Sequence, residues 1–336
     1  MFSIWFIVFA ASLWVLIKSA DYFTDYAEEL GKILKLPNFI VGLLIVAVGT
    51  SLPELATSIF AVHRGEVEFL AGNVIGTVIV NILLGLGVAV IFSKKKAIFN
   101  WDIVSNDLPF FAAAIFLTII TLSDGIFTLM EAIMFLFGYI VYIIYAYHIQ
   151  KSAKDSVKEH YDRQLKKEIK SEVSEIEKKE QINKKKEKPI IKIILFLVFS
   201  LAVVSLSSKF VVDAVINIAT MMGIGTSVIA ATLVALGTSL PEILVATSAA
   251  RRGNFDLVIG NIIGSNIFDL FVIFGAVGLF TELSISKEMF MILGSFLVGS
   301  FFLMWLAFID KKMTRTEALM FVVIYFTFAG KLFNIF

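Results

Sequence analysis

The chain has 336 residues, 58% of them hydrophobic, and a formal net charge of +1. A soluble globular domain is nearer half apolar and more charged, and so neutral a balance gives no reason to expect nucleic acid as a partner. There are no cysteines, which excludes disulfides and thiolate metal sites. Much of the charge lies in one segment, Lys151 to Lys188, and the rest reads as long apolar runs split by short polar turns. That is the pattern of a polytopic helical membrane protein.

Met1 to Ile17 has no basic leader and no small-residue cleavage site, so it reads as a retained first helix. Ten spans follow in chain order, at about 2–20, 39–62, 68–92, 104–121, 127–149, 190–213, 226–250, 255–280, 288–309 and 318–335. The first and sixth have room to run longer. Spans two, three, seven and eight hold most of the Gly, Asn, Ser and Thr and are expected to form the core. The Phe- and Leu-rich fourth, fifth, ninth and tenth read as lipid-facing or scaffold helices. Lys151 to Lys188 mixes Lys and Glu with almost no apolar content, which reads as a solvated linker.

Basic residues follow the odd-numbered spans: Lys32 and Lys35, Lys94 to Lys96, the central segment, Arg251 with Arg252, and Lys311, Lys312 and Arg315. Little more than Arg64 and Lys287 follows the even ones. The positive-inside rule then places the central segment in the cytoplasm and both termini outside the plasma membrane.

The run Gly49-Thr50-Ser51-Leu52-Pro53-Glu54 returns as Gly237-Thr238-Ser239-Leu240-Pro241-Glu242. Glu54 and Glu242 are 188 residues apart (242 minus 54), and the same offset pairs Gly72-Asn73 with Gly260-Asn261, Asp25 with Asp213, and Asn81 with Asp269. Glu131 and Glu317 begin another match at an offset of 186 (317 minus 131). Five spans separate equivalent points, and five is odd, so the halves enter the membrane in opposite senses. The expected fold is all-α, ten transmembrane helices as two inverted five-helix repeats, 1–150 and 189–336, joined by 151–188. Inverted repeats support alternating access around a midplane site.

Each repeated run sets a proline, two hydroxyls and a carboxylate at membrane depth, where polar groups are costly and mark sites. Pro53 and Pro241 have no N–H to offer the carbonyls of Gly49 and Gly237, so helices two and seven are expected to break there. The donors are all oxygen, which suits hard cations: Ca²⁺ takes about 6–8 oxygens, and alkali ions take carbonyls and hydroxyls. Thr77 and Ser265, with Asn81 and Asp269, supply further groups from spans three and eight. Gly72, Gly76, Gly260 and Gly264 have the small-residue spacing of close helix packing. Asn73 and Asn261 fit either ligation or cross-helix bonding. Thr128 with Glu131 and Thr314 with Glu317 read as capping boxes.

These motifs resemble the two repeats of the calcium/cation antiporter superfamily, and specifically its prokaryotic sodium/calcium exchangers. Gly264-Ser265-Asn266-Ile267 matches the companion motif of the second repeat. The resemblance implies exchange of Na⁺ for Ca²⁺, with no enzymatic activity, no resident cofactor, and the two ions and the lipid bilayer as partners. It implies Glu54 and Glu242 as principal Ca²⁺ ligands, helped by the carbonyls of Thr50 and Thr238. Sodium sites would add Ala47, Ser51, Thr77, Ala235, Ser239 and Ser265, and Asn81 and Asp269 would line the middle site. The long first and sixth helices would slide to switch access. One departure stands out: Gly76-Thr77-Val78-Ile79 replaces the expected Gly-Ser-Asn-Ile, which leaves coupling to K⁺ or H⁺ open beside Na⁺. A channel reading fits two opposed half-sites poorly, and no His-Glu metal motif or Ser/Lys dyad supports an intramembrane enzyme. The oligomeric state is left open, a monomer being compatible with everything above.

Overall fold

The computed structural model describes residues 2–63, 70–98, 107–146, 189–221, 226–309 and 311–332. The linker segment 151–188, together with Arg64 and Gly65, lies outside them. Helices occupy all ten expected stretches among the described residues. Two of equal length pack against each other: α1 (Phe2–Ile33) and α6 (Ile190–Met221), each of 32 residues. At 1.5 Å per residue each is ~48 Å long, more than the ~20 residues that cover the hydrocarbon. Both overrun the spans expected from hydropathy, because an apolar run marks only the embedded part of a helix. Tyr26 stacks on Phe196 across the pair, with ring centroids 5.2 Å apart.

The remaining helices are α2 (38–63), α3 (Leu70–Ile91), α4 (Leu108–Thr121), α5 (Leu129–Ala146), α7 (Thr226–Arg252), α8 (Phe255–Gly278), α9 (Lys287–Phe308) and α10 (Arg315–Leu332). Seven of the ten, α1, α2, α3, α5, α6, α8 and α9, are long and apolar enough to cross a membrane. α4 is apolar but shorter. α10 carries Arg315, Glu317 and Lys331, and α7 is diluted by Thr, Ser, Gly, Pro and Glu. The helices expected to face lipid do expose large apolar side chains, including Phe116, Phe137, Phe302 and Phe326. α3 and α8 are almost wholly buried.

Both prolines predict a broken helix, and here the structure differs: α2 and α7 each run through theirs. A proline removes one backbone bond and crowds one carbonyl, while the turns on either side remain bonded. In α7 the freed carbonyl finds a new donor, the Ser208 hydroxyl of α6, which gives its hydrogen to Gly237 O at 2.8 Å. The irregularity lies elsewhere, in π-helical turns at Val41–Val46 of α2, Asn81–Gly85 of α3 and Asp269–Ile273 of α8. The last two begin at Asn81 and Asp269, the positions that the offset of 188 pairs.

α2 packs on α8, and α3 packs on α7. The first contact is backbone to backbone: a Cβ on Gly264 would meet the Leu43 carbonyl oxygen at 2.5 Å, and one on Gly42 would meet Asn261 N at 2.8 Å. The packing expected of Gly260 and Gly264 is therefore present. For Gly72 and Gly76 the matching stretch of α7, 227–235, lies outside the described side chains. Gly72 faces only the side chains of Met289 and Leu293 at 3.7–3.8 Å, and Gly76 meets nothing within 4 Å among the described residues.

Four short strands tie the halves together. β1 (Ala97–Ile98) pairs antiparallel with β4 (Lys312–Met313), and β2 (Ile126–Phe127) pairs antiparallel with β3 (Leu283–Ser284). Adding 186 to the numbers of β1 and β2 gives those of β3 and β4. The register obeys the same exchange: Ala97 opposes Met313, and Leu283 opposes Phe127. The glycine contacts of α5 and α10 repeat too, since Gly275 abuts Leu136 and the Ala132 carbonyl while Gly87 abuts Val322 and the Ala318 carbonyl.

Candidate functional site

The repeated runs place their polar residues on the inner faces of α2 and α7. Glu54 and Glu242 are 3% and 2% exposed, and Asp269 on α8 is wholly buried. Each carboxylate lies near enough to feel the others' charge. The arrangement crosses between the halves: Thr238 stands beside Glu54, and Thr50 stands beside Glu242. Ser51 stands beside Asp269. These approaches fall short of hydrogen-bond geometry, and all six carboxylate oxygens lack a hydrogen-bond partner among the described residues. Buried polar atoms are nearly always paired in folded proteins, and unpaired buried carboxylates are costlier still. Oxygens left bare together are what a desolvated cation needs.

The hydroxyls behave alike. Ser51, Ser239 and Ser265 are buried, with Oγ atoms that have no hydrogen-bond partner among the described residues. Thr50 is buried and donates back to the carbonyls of Val46 and Ala47 at 3.1 and 3.2 Å, which leaves its lone pairs free to accept. Thr77 is buried on α3, and Ala235 falls within α7. The three acids do not form a compact chelate: among the described residues no group of three or more His, Cys, Asp or Glu is placed to hold one metal ion. A cation here would need hydroxyl, carbonyl or amide oxygens beside the carboxylates, since two bidentate carboxylates supply at most four of the ~6–8 oxygens that Ca²⁺ takes.

The amides sit in different networks. Asn81 Nδ2 donates to Asn266 Oδ1 at 3.2 Å, joining α3 to α8. Asn261 Nδ2 reaches the backbone oxygen of Glu242 at 3.5 Å, so it bonds across helices. Asn73 Oδ1 is buried and has no hydrogen-bond partner among the described residues. Glu131 and Glu317 accept from the backbone N–H and the hydroxyl of Thr128 and Thr314 at 2.6–2.9 Å. Both are capping boxes, remote in role from the site.

Sequence reasoning missed three residues of α6. A cavity of about 290 Å³ runs from Glu54 and Thr238 to Ser208, Lys209 and Asp213. Asp213, met in the sequence only as the offset mate of Asp25, lines the cavity that reaches Glu54. Its repeat mate Asp25 has another role, an ion pair with Arg252. Lys209 and Ser208 have no mate of their own type, since the offset maps them to Asp21 and Ala20, so the repeat gave no signal for them.

Comparisons with known proteins show the family. The sodium/calcium exchanger protein family matches residues 4–148 and 192–333. The sodium/calcium exchanger MaX1 of Methanosarcina acetivorans is 32% identical over the whole of both chains. The putative antiporter CaxA of Alkalimonas amylolytica is 29% identical over 78% of this chain and 76% of its own length. A solved structure of the sodium-calcium exchanger NCX_Mj, soaked with zero Na⁺ and Ca²⁺, superposes with a TM-score of 0.76 at 28% identity, covering 99% of this chain and 100% of that one. With paired acidic half-sites buried between duplicated helices, this multi-pass membrane protein belongs to the sodium/calcium exchanger family.

Proposed function

We propose that the protein is a secondary antiporter that moves Ca²⁺ against Na⁺ by alternating access, with ten transmembrane helices in two inverted repeats, 1–150 and 189–336. The observation that carries the reading is the crossed placement of Thr238 beside Glu54 and Thr50 beside Glu242. Two half-sites related by an inverted repeat then face one another at mid-depth. The exchanged strand ladders support the inversion, because β1 and β4 lie on one side of the expected topology and β2 and β3 on the other.

In this reading Glu54 and Glu242 neutralise Ca²⁺ and the carbonyls of Thr50 and Thr238 complete its shell. Na⁺ uses Ala47, Ser51, Thr77, Ala235, Ser239 and Ser265, and Asn81 and Asp269 line the middle. The cavity between Glu54 and Asp213 is the ion path on the outer side. On the cytoplasmic side, hydrogen bonds from Ser248 to Asp21 and from Asn254 to Glu28, at 2.6 and 2.8 Å, hold α1 against α7 and the start of α8. The basic loops support termini outside the plasma membrane and 151–188 in the cytoplasm.

Calcium uptake into proteoliposomes loaded with Na⁺ tests the proposal. Uptake is expected with an outward Na⁺ gradient and not without one, and uptake indifferent to Na⁺ would refute it. A second reading, coupling to K⁺ or H⁺, is favoured by the Asp269 carboxylate, which has no hydrogen-bond partner among the described residues, and by Val78 where the companion motif carries an amide. Replacing the Na⁺ gradient by each of these in the same assay separates the two.

A further inference from the structure

The β1–β4 ladder brings the end of α3 to the start of α10. Between them lies a cavity of about 600 Å³ walled by Lys94, Lys95, Lys96, Lys312 and Arg315. No acidic side chain lines it among the described residues, and none of its lysines is ion-paired there. Like charges gathered in a concavity repel, and the field they focus attracts an anion.

The cations are mounted on ordered backbone. Arg315 Nη2 donates to the Ser93 carbonyl at 2.8 Å. The Ser93 hydroxyl accepts from Lys95 N at 3.1 Å and reaches the Ala250 carbonyl at 2.9 Å. Ile98 and Lys312 are Cα partners in the ladder. Basic loops are expected on the cytoplasmic side of any membrane protein, but that rule needs no convergence. Here three lysines of one repeat and two basic residues of the other share one cavity.

Its surroundings indicate the source of the anion. Ile98, in the cavity wall, is 56% exposed, and Ile309, at the end of the helix that leads into β4, is 53% exposed. A soluble anion has no use for such side chains, whereas a lipid lays its acyl chains on them. We propose that this cavity binds the phosphate headgroup of an anionic phospholipid in the cytoplasmic leaflet. The proposal does not depend on which ions are exchanged.

The test uses the full chain in mixed phosphatidylglycerol and phosphatidylcholine micelles, with retained lipid read by native mass spectrometry. Wild type is expected to retain phosphatidylglycerol preferentially. K94Q/K96Q is expected to lose that preference by about 30-fold, as two headgroup-level lysines imply. K312Q, on the partner strand, should give a smaller loss in the same direction. K32Q/K35Q removes equal charge from another basic loop and should change nothing. The proposal is overturned by no preference in wild type, by equal loss in the two double variants, or by displacement of phosphatidylglycerol with millimolar inorganic phosphate.

Discussion

Ser208 gives its hydroxyl hydrogen to the Gly237 carbonyl at 2.8 Å, the carbonyl that Pro241 has no N–H to meet. A helix of the α1–α6 pair thus repairs the proline defect of a core helix. The repeat does not copy this arrangement. The position matching Ser208 is Ala20, and Gly49 faces the side chains of Phe23 and Leu201 instead. Ser208→Ala is expected to destabilise the protein by ~1 kcal/mol, the typical worth of such a bond within a membrane or a buried site. Ser205→Ala is the control, because its hydroxyl bonds within α6 to Leu201 O at 3.0 Å. Thermal unfolding in detergent compares them, and equal midpoints would remove the role assigned to Ser208.

The two glutamates are expected to be indispensable separately. Glu54→Gln or Glu242→Gln leaves the fold in place but removes one of the charges that would balance a divalent ion in a buried site. Breaking a buried charge pair costs about 3–5 kcal/mol, so Ca²⁺ uptake should fall by more than ~100-fold in each. Normal transport by either variant would show that the half-sites do not share one ion.

Arg252 pairs with Asp25 and donates from Nη2 to the Asp21 carbonyl at 2.6 Å, beside the Ser248 and Asn254 contacts. Arg252→Ala should loosen α1 on that side only. The chain has no cysteine, so Thr247→Cys, buried beside this seam, is a clean reporter. Its modification by a soluble thiol reagent should speed up by about 5-fold, as expected for losing one partly exposed ion pair. An unchanged rate would mean that the contact does not guard the seam.

Val78 bears on selectivity. Asn81 bonds Asn266, and the offset of 188 maps this pair onto Asp269 and position 78, where valine has no amide to offer. Val78→Asn is expected to give Asp269 that missing donor. The Na⁺ concentration for half-maximal exchange should then shift by about 5-fold, the worth of roughly one hydrogen bond, with Ca²⁺ half-saturation moving less. Parallel shifts for both ions would point to a general packing effect.

The chain's order of residues determined a good deal unaided. The doubled Gly-Thr-Ser-Leu-Pro-Glu run and the oxygen-only donors pointed to polar residues of α2, α3, α7 and α8, and the structure buries Glu54, Glu242, Asn81 and Asp269 there. The capping boxes at Thr128 and Thr314 were legible because capping is local. What depends on neighbours was not. Hydropathy could not give the full length of α1 and α6, since their ends leave the hydrocarbon while the helix continues. Proline chemistry predicted breaks in α2 and α7 that are absent, and in α7 the freed Gly237 carbonyl is met by Ser208 of another helix. The π-helical turns at Asn81 and Asp269, and the part of Asp213 in the cavity to Glu54, have no local signature. Sequence carries short-range bonding and periodicity. Only the tertiary structure decided which distant groups satisfy one another, and which buried oxygens are left for an ion.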